Sequence, residues 1–195
     1  RLETLLGEIG CASQLRIIQS NGGLMNVATT RSHPVRTLLS GPAGGVVGAV
    51  GVARAAGFDD IIAMDMGGTS LDICLARGGE VTLSTEGQVG AYPVQVPQVN
   101  VHTIGAGGGS LARVIRGALK VGPESAGAVP GPVCYGNGGT EPTSTDAAVT
   151  LGYIDPDYFV GGEMSLDVAG AKRAVESHVG EPLGMDAAEA ALAIV

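Results

Sequence analysis

The sequence has no tryptophan, few other aromatic residues and no long apolar run. Aromatic residues make up 3% of the 195 residues, so the chain offers few side chains on which nucleic-acid bases could stack. No apolar run approaches the ~20 residues that a membrane-spanning helix needs, and no signal-peptide pattern opens the chain. A formal net charge of −8 disfavours nucleic acids and anionic membranes as partners.

Paired cysteines are missing as well. Cys11, Cys74 and Cys134 are odd in number, lie far apart and form no C-x-x-C motif. This pattern predicts neither a disulfide framework nor a zinc site, and it makes the cytoplasm the expected compartment. The chain also contains neither G-x-G-x-x-G nor a Walker lysine motif, which excludes the Rossmann and P-loop nucleotide-binding classes.

Glycine and apolar residues are abundant instead. The chain contains 33 glycines and 45% hydrophobic residues, against 15% charged residues. A chain of this length and composition can bury a sizeable core, and disorder is not expected. The glycines predict many places where the backbone is closely approached by another part of the protein or by a ligand.

The most informative stretch is IIAMDMGGTSLDICLA at positions 61–76. It predicts a β-hairpin, in which strands 61–64 and 71–75 are joined by a bend of glycines and hydroxyl residues. A glycine turn at positions 78–79 and a third antiparallel strand at 80–85 are expected to follow. We expect Gly67 and Gly68 to adopt positive φ and to leave room for a ligand. Amides in such a bend suit phosphate oxygens, and Asp65 is placed to hold Mg²⁺ through water. An ordinary hairpin with a glycine turn is the alternative.

A second glycine bend, GAGGGS at positions 105–110, follows a strand predicted at Val99–Ile104. Phosphate-binding bends commonly follow a strand, so the bend is a further candidate for nucleotide binding. The glycines assigned to this role are Gly105, Gly107, Gly108 and Gly109.

A glycine-rich helix is predicted at Ala43–Ala56, with Ser40 as its cap. Within it Gly44, Gly48 and Gly51 would each cost ~1 kcal/mol relative to alanine. We therefore expect the helix to lie very close to a neighbouring strand or to a ligand.

The rest of the chain predicts a mixture of hairpins, helices and one long loop. Residues 111–121 read as a hairpin, with a helix as the alternative, and Gly122–Glu141 as an irregular loop that is either functional or disordered. An amphipathic helix is expected at residues 2–9. Three further helices are expected: one capped by residues 143–146 that reaches Leu151, one at 168–178 opened by Asp167, and a last one opened by Asp186 that reaches Val195. Both ends cut through helices, so we interpret residues 1–195 as a single partial domain of a longer chain.

Six segments resemble the hydantoinase A family, which includes N-methylhydantoinase, 5-oxoprolinase and the acetone and acetophenone carboxylase subunits. They follow one another in the family's order and together cover nearly the whole chain. The segments are QSNGGLM (19–25), RTLLSGPAGGVVGA (36–49), DMGGTS (65–70), HTIGAGGGS (102–110), LKVGPESAGA (119–128) and PGPVCYGNGGTEPTSTDA (130–147).

This resemblance implies a ribonuclease-H-like α/β fold, as in actin, sugar kinases and the Hsp70 ATPase, with one half of the ATP cleft in this chain. It implies ATP and Mg²⁺, or another divalent metal, as cofactors. The implied reaction is the opening of a cyclic amide or the carboxylation of a ketone, with the substrate oxygen activated by phosphorylation. Family members are longer and carry an earlier D-x-G-G-T-x-x-D hairpin. The expected partners are therefore the missing N-terminal half and a hydantoinase B-type subunit, and the 195-residue chain alone is expected to show no ATPase activity.

Roles for single residues follow from their type and position and, for the hairpin bend, also from the resemblance. Phosphate binding falls to the bend, namely Gly67, Gly68, Thr69 and Ser70. Asp65 and Asp146 are the predicted catalytic residues, and Asp65 and His102 the predicted metal ligands. A helix cap is the alternative for Asp146, and a structural histidine the alternative for His102.

Three positions depart from the family pattern. Leu71 stands where the family usually has threonine, Asn100 where aspartate is common, and Ala148 where asparagine is common. A non-catalytic nucleotide-binding scaffold or sensor of the same fold, which Leu71 and Ala148 favour, is therefore the alternative function.

Overall fold

The computed structural model describes residues 1–89 and 91–195. These residues form two compact units. The first contains Arg1–Asp65 and Asp72–His102, and the second contains Met66–Leu71 and Thr103–Val195. The single partial domain predicted for residues 1–195 stays a prediction, and each unit is described by itself.

The first unit is built from short strands and three helices. In chain order the elements that begin in it are α1 (Leu2–Glu8), β1 (Arg16–Ile18), β2 (Leu24–Asn26), α2 (Val27–Ser32), α3 (Ser40–Ala55), β3 (Ile61–Met66), β4 (Leu71–Arg77), β5 (Glu80–Val81), β6 (Leu83–Ser84), β7 (Gly87–Val89), β8 (Tyr92–Val94), β9 (Gln98–Val99) and β10 (His102–Ile104). The pairs β1–β2, β4–β5, β6–β9 and β7–β8 are antiparallel.

The central hairpin is confirmed, since β3 and β4 are neighbours in one sheet and are joined by a four-residue turn. The single third strand predicted at positions 80–85 is wrong. Residues 80–81 pair with β4, whereas residues 83–84 pair with β9 and leave the hairpin sheet. The strand predicted at 99–104 likewise divides into β9 and β10.

Helix α3 packs on the hairpin through Ala43 and Val46, which contact Cys74 of β4 and Val99 of β9 in a small buried cluster. The predicted Ser40 cap is wrong: Leu39 is the N-cap, in a left-handed conformation with φ of 57° and without a side-chain cap hydrogen bond.

The glycines of α3 differ in their surroundings. A Cβ on Gly44 would lie 2.9 Å from Ile18 Cδ1, so close packing accounts for this glycine. In the described part of the chain a Cβ on Gly48 or Gly51 would meet no atom within 4 Å. The expectation of a close neighbour therefore holds for Gly44 alone among the three.

The second unit combines one long hairpin with a helical cluster. Its elements are β11 (Ser110–Ile115), β12 (Ala118–Ser125), α4 (Ser144–Thr150), α5 (Val168–Val175), α6 (Glu181–Leu183) and α7 (Ala187–Ile194), with a short π-helix at Glu176–Gly180 between α5 and α6. Its main core lies where β11 meets the helices, and it is formed by Ala112, Ala147, Val175, Val179, Ala190, Ala191 and Ile194.

Several predictions for this unit are confirmed. β11 and β12 form the antiparallel hairpin predicted at 111–121, which turns at Arg116 and Gly117 with φ of 53° and 79°. Helix α4 begins after the N-cap Thr143, and the side chains of Asp167 and Asp186 cap α5 and α7. The long loop is shorter than predicted, because β12 continues to Ser125.

In the two described segments no helix is both apolar enough and long enough to cross a bilayer.

Candidate functional site

The hairpin tip, residues 67–70, is an open turn at the end of β3. The Gly67 amide donates to the Ser70 carbonyl oxygen at 2.9 Å and closes the turn. A Cβ on Gly67 would lie 3.6 Å from that oxygen, and one on Gly68 would meet nothing within 4 Å. The positive φ predicted for both glycines is wrong, since neither adopts it. The tip therefore has free space around its backbone without backbone strain.

The tip also has unused hydrogen-bond donors. Among residues 1–89 and 91–195, no backbone or side-chain acceptor is bound by the amides of Gly68 and Thr69. Gly67, Gly68 and Thr69 are exposed and Ser70 is half-buried. Two adjacent amides and two hydroxyl groups are thus available to an anion at this turn.

The second glycine bend, residues 105–109, packs against the hairpin tip and hydrogen-bonds to the backbone of the tip. Its Gly108 and Gly109 amides donate to the carbonyl oxygens of Gly67 and Gly68, at 3.0 and 2.7 Å. Its Gly107 amide donates to Ser110 Oγ at 2.8 Å. These three amides are already used within the protein. The nucleotide-binding role assigned to Gly105, Gly107, Gly108 and Gly109 stays a prediction, and the contacts give the last three a supporting role.

The bend needs glycine for reasons of space. A Cβ on Gly107 would lie 2.6 Å from the Thr69 amide nitrogen and 2.8 Å from the Gly67 carbonyl oxygen. A Cβ on Gly109 would lie 2.8 Å from the Gly68 carbonyl oxygen, and one on Gly105 would lie 2.8 Å from Pro123 Cβ. Because backbone atoms cannot move aside as a flexible side chain can, any larger residue at 107 or 109 would displace the tip.

The first turn of α4 hydrogen-bonds to the second glycine bend. Both the amide and the Oγ1 of Thr145 donate to the Gly108 carbonyl oxygen, each at 2.8 Å. Ser125 Oγ, at the end of β12, donates to the Gly68 carbonyl oxygen at 3.3 Å. Thr145 is 8% exposed, so its hydroxyl is shielded from competing water.

Asp146 is completely buried next to Thr145. Its Oδ1 accepts from the Cys134 amide at 2.7 Å, and its Oδ2 accepts from the Thr143 amide and hydroxyl and from the Val133 amide, at 2.8–3.1 Å. These bonds close a capping box at the start of α4. The catalytic role predicted for Asp146 stays a prediction, while its contacts match the alternative of a helix cap.

Cys134 is not available as a nucleophile. It is fully buried. Burial, and secondly the charge of the Asp146 carboxylate, raise the pKa of the Cys134 thiol far above its usual value. The thiolate form that nucleophilic attack needs is therefore absent at neutral pH.

Asp65 and Asp72, which flank the tip in sequence, belong to the first unit. They line one cavity of about 220 Å³ between α3 and the β3–β4 hairpin, together with apolar residues such as Val46 and Ala63. His102 is exposed at the start of β10. In the part of the chain that the structure describes, no three Asp, Glu, His or Cys side chains converge as metal ligands. The metal-binding roles of Asp65 and His102 stay predictions.

Three hydroxyl residues, Ser110, Ser125 and Thr145, hydrogen-bond to the tip or to the second bend, and the sequence alone assigns this supporting role to none of them. The one local signal was Thr145 in the first turn of a helix, a place where hydroxyls often bond to nearby backbone. Nothing in the spacing shows that a residue 37 positions later will bind the carbonyl of Gly108.

These features define an α/β protein with a candidate anion-binding hairpin. The sequence matches the family described as Hydantoinase/oxoprolinase over residues 1–195, and the chain belongs to this family.

Two curated relatives show how much of such proteins this chain represents. It is 44% identical to the caprolactamase subunit alpha of Pseudomonas jessenii, over the whole chain and 28% of the relative. It is 41% identical to the acetophenone carboxylase gamma subunit of Aromatoleum aromaticum, over 91% of the chain and 24% of the relative. The chain thus spans about a quarter of the length of these relatives.

Two solved structures share the fold. The ATP-dependent caprolactamase from Pseudomonas jessenii superposes with a TM-score of 0.82 at 43% identity, over all of this chain and 28% of that one. A nucleotide-free structure of acetone carboxylase, described as concerning ATP-dependent acetone carboxylation, gives a TM-score of 0.81 at 32% identity. The match covers 99% of this chain and 27% of that one.

Proposed function

We propose that this chain is the ATP-binding half of a longer ATP-dependent enzyme subunit that activates an amide or carbonyl oxygen, and that its fold is of the actin, sugar kinase and Hsp70 type. The observation that carries the proposal is the hairpin tip. It has two hydroxyls, no Cβ at positions 67 and 68, and two amides that donate to no acceptor within residues 1–89 and 91–195. The names of the solved structures add support, because both describe ATP-dependent reactions.

The residues present fit a nucleotide phosphate group. The Gly68 and Thr69 amides and the hydroxyls of Thr69 and Ser70 would bind its oxygens. Asp65 would hold Mg²⁺ through water, since Mg²⁺ is commonly bound by one or two carboxylates together with phosphate and water and needs no larger ligand cluster. When bound, ATP supplies the phosphoryl group that makes the substrate oxygen a better leaving group.

The substrate class is proposed from the relatives. Their names specify a lactam in one case and aromatic or aliphatic ketones in the others. We propose a cyclic amide or a ketone for this protein, with the missing N-terminal half and a hydantoinase B-type subunit as partners. The names "subunit alpha" and "gamma subunit" agree with assembly from several chains. A cytoplasmic location is part of the same proposal.

Release of phosphate from ATP by the assembled full-length enzyme tests this function. Caprolactam, 5-oxoproline and hydantoin would be supplied singly, and acetone or acetophenone together with bicarbonate. We expect one class to stimulate phosphate release, and Asp65→Ala to abolish that stimulation while the protein still folds. Tight ATP binding without stimulation by either class would instead favour a non-catalytic scaffold, which the buried Leu71 in place of the usual threonine also suggests.

A further inference from the structure

We infer that Thr145 is a positioning residue that aims the Thr69 amide of the hairpin tip at the bound ligand, acting through the peptide group between Gly108 and Gly109. The inference rests on the proposed function, because the ligand in question is the phosphate group of a nucleotide. It explains which contacts orient the N–H groups of Gly68 and Thr69 at the tip.

The starting point is the planarity of the peptide group. A carbonyl oxygen and the amide of the following residue belong to one rigid trans unit and point in opposite directions. A hydrogen bond that holds the oxygen therefore fixes the direction of the amide. At the tip, the Gly68 oxygen and the Thr69 amide form such a unit.

The Gly68 oxygen accepts from the Gly109 amide at 2.7 Å and, at the longer distance of 3.3 Å, from Ser125 Oγ. That amide belongs to the peptide group whose oxygen is Gly108 O, and Gly108 O is the atom that Thr145 binds. The chain of contacts thus runs from Thr145, through the Gly108–Gly109 peptide, to the Gly68–Thr69 peptide. Its far end is the Thr69 amide, which donates to no acceptor in the two described segments.

The neighbouring peptides are arranged in the same way. The Gly67 oxygen accepts from the Gly108 amide, and the Gly107 oxygen of that second peptide accepts from the Ser110 amide at 3.0 Å. The far end of this second chain is the Gly68 amide. Peptides of the bend therefore orient both of these tip amides. Thr145 binds the bend peptide that leads to Thr69, and Ser125 Oγ contacts the Gly68 oxygen of the tip directly.

Thr145 is itself held firmly enough to act as an anchor. It lies in the first turn of α4, and the next residue, Asp146, binds four donors while fully buried. Thr145 grips the Gly108 oxygen at two points, its amide and its hydroxyl. Removing the hydroxyl leaves the amide contact, so the expected effect is a loosened peptide and not a collapsed site.

The test compares Thr145→Val with Thr150→Val in the full-length protein. Thr150 is the matched control, because it lies on the same helix and its Oγ1 also donates to a carbonyl oxygen, that of Asp146, at 2.8 Å. We expect Thr145→Val to weaken ATP binding about three- to tenfold, as the loss of one hydrogen bond allows. Thr150→Val should stay within about twofold, and Thr145→Ser should restore the wild-type affinity.

A second readout does not depend on nucleotide. With selective ¹⁵N-threonine labelling, the Thr69 amide resonance of the ligand-free protein should shift in Thr145→Val and not in Thr150→Val or Thr145→Ser. Equal effects of both valine variants on the Thr69 resonance, or a failure of serine to restore it, would overturn the inference. If the resonance behaves as expected but wild-type protein does not bind ATP, the proposed function fails while the positioning contact stands.

Discussion

The two glycine-rich bends of the second unit use the same residue for opposite purposes. At the hairpin tip, Gly67 and Gly68 face open space and would tolerate a Cβ. At the second bend, Gly107 and Gly109 face the backbone of the tip itself, at distances that no Cβ could occupy without displacing it. Gly67 and Gly68 thus leave room for a ligand, whereas Gly107 and Gly109 leave room for the backbone of the hairpin tip.

The amides divide in the same way. Those of Gly107, Gly108 and Gly109 are consumed by Ser110 and by the tip carbonyls, while those of Gly68 and Thr69 donate to nothing in the described residues. Glycine content alone therefore does not identify a ligand site. The distinction between a binding bend and a supporting bend lies in which donors remain free.

The largest loss of stability is expected at Asp146, which is fully buried at the start of α4. Asp146→Asn replaces a carboxylate that accepts four hydrogen bonds by an amide with one acceptor oxygen, so it should lower the free energy of unfolding by about 2–4 kcal/mol. The control is Asp186→Asn at the exposed cap of α7, where asparagine caps as well as aspartate and the change should stay within ~0.5 kcal/mol. Chemical denaturation measures both. An Asp146→Asn protein that is fully stable but has lost turnover would restore the catalytic assignment.

The next effect is expected at Gly107. A Cβ there would lie within 3 Å of three backbone atoms of the tip, so Gly107→Ala should cost about 1–3 kcal/mol of stability and also weaken ATP binding. Gly67→Ala makes the same change where the nearest atom is 3.6 Å away, and its stability should change by no more than ~0.5 kcal/mol. Similar losses of stability in the two variants would erase the distinction between the bends.

The smallest effect on stability is expected at the partly exposed ion pair between Arg113 of β11 and Glu141. Arg113 binds Glu141 through two contacts, of 2.6 and 2.9 Å, and the hydrogen bonding lowers the pKa of the Glu141 carboxyl. A lowered pKa in the folded state gives stability that is present above the unfolded pKa of ~4.3 and lost as pH falls through the folded value.

Glu141→Gln should therefore destabilise the protein near pH 7 by at most ~1 kcal/mol, because both side chains are more than a third exposed. The difference from wild type should shrink as the pH falls below ~4. Acid titration of the unfolding midpoint measures this, with Glu163→Gln as an exposed control outside the ion pair. A difference that grows toward acidic pH would contradict the assignment.

Much of the local structure could be predicted from the sequence because it depends on neighbouring residues. The hairpin at 61–76, the turn at Arg116 and Gly117, and the caps at Thr143, Asp167 and Asp186 are all encoded within a few positions. The hydroxyl and carboxylate caps, in particular, satisfy amides only two or three residues away.

What could not be predicted depends on contacts between distant residues. Strand 83–84 pairs with β9 and not with its neighbour in sequence, and Thr145 meets Gly108 across 37 positions. The positive φ predicted for Gly67 and Gly68 is wrong for a related reason. The sequence shows that a glycine is present, but not whether φ, packing or access requires it.

Gly67→Val in the full-length protein tests the central claim most directly, through ATP calorimetry and denaturation on the same sample. Because φ at Gly67 is not positive and the Cβ position is open, valine should leave the free energy of unfolding within ~1 kcal/mol of wild type. Its branched side chain should block the approach of phosphate and weaken ATP binding at least about tenfold, equivalent to ~1.4 kcal/mol. Unchanged ATP affinity in a stable Gly67→Val protein would contradict the account, since the tip would then be an ordinary turn.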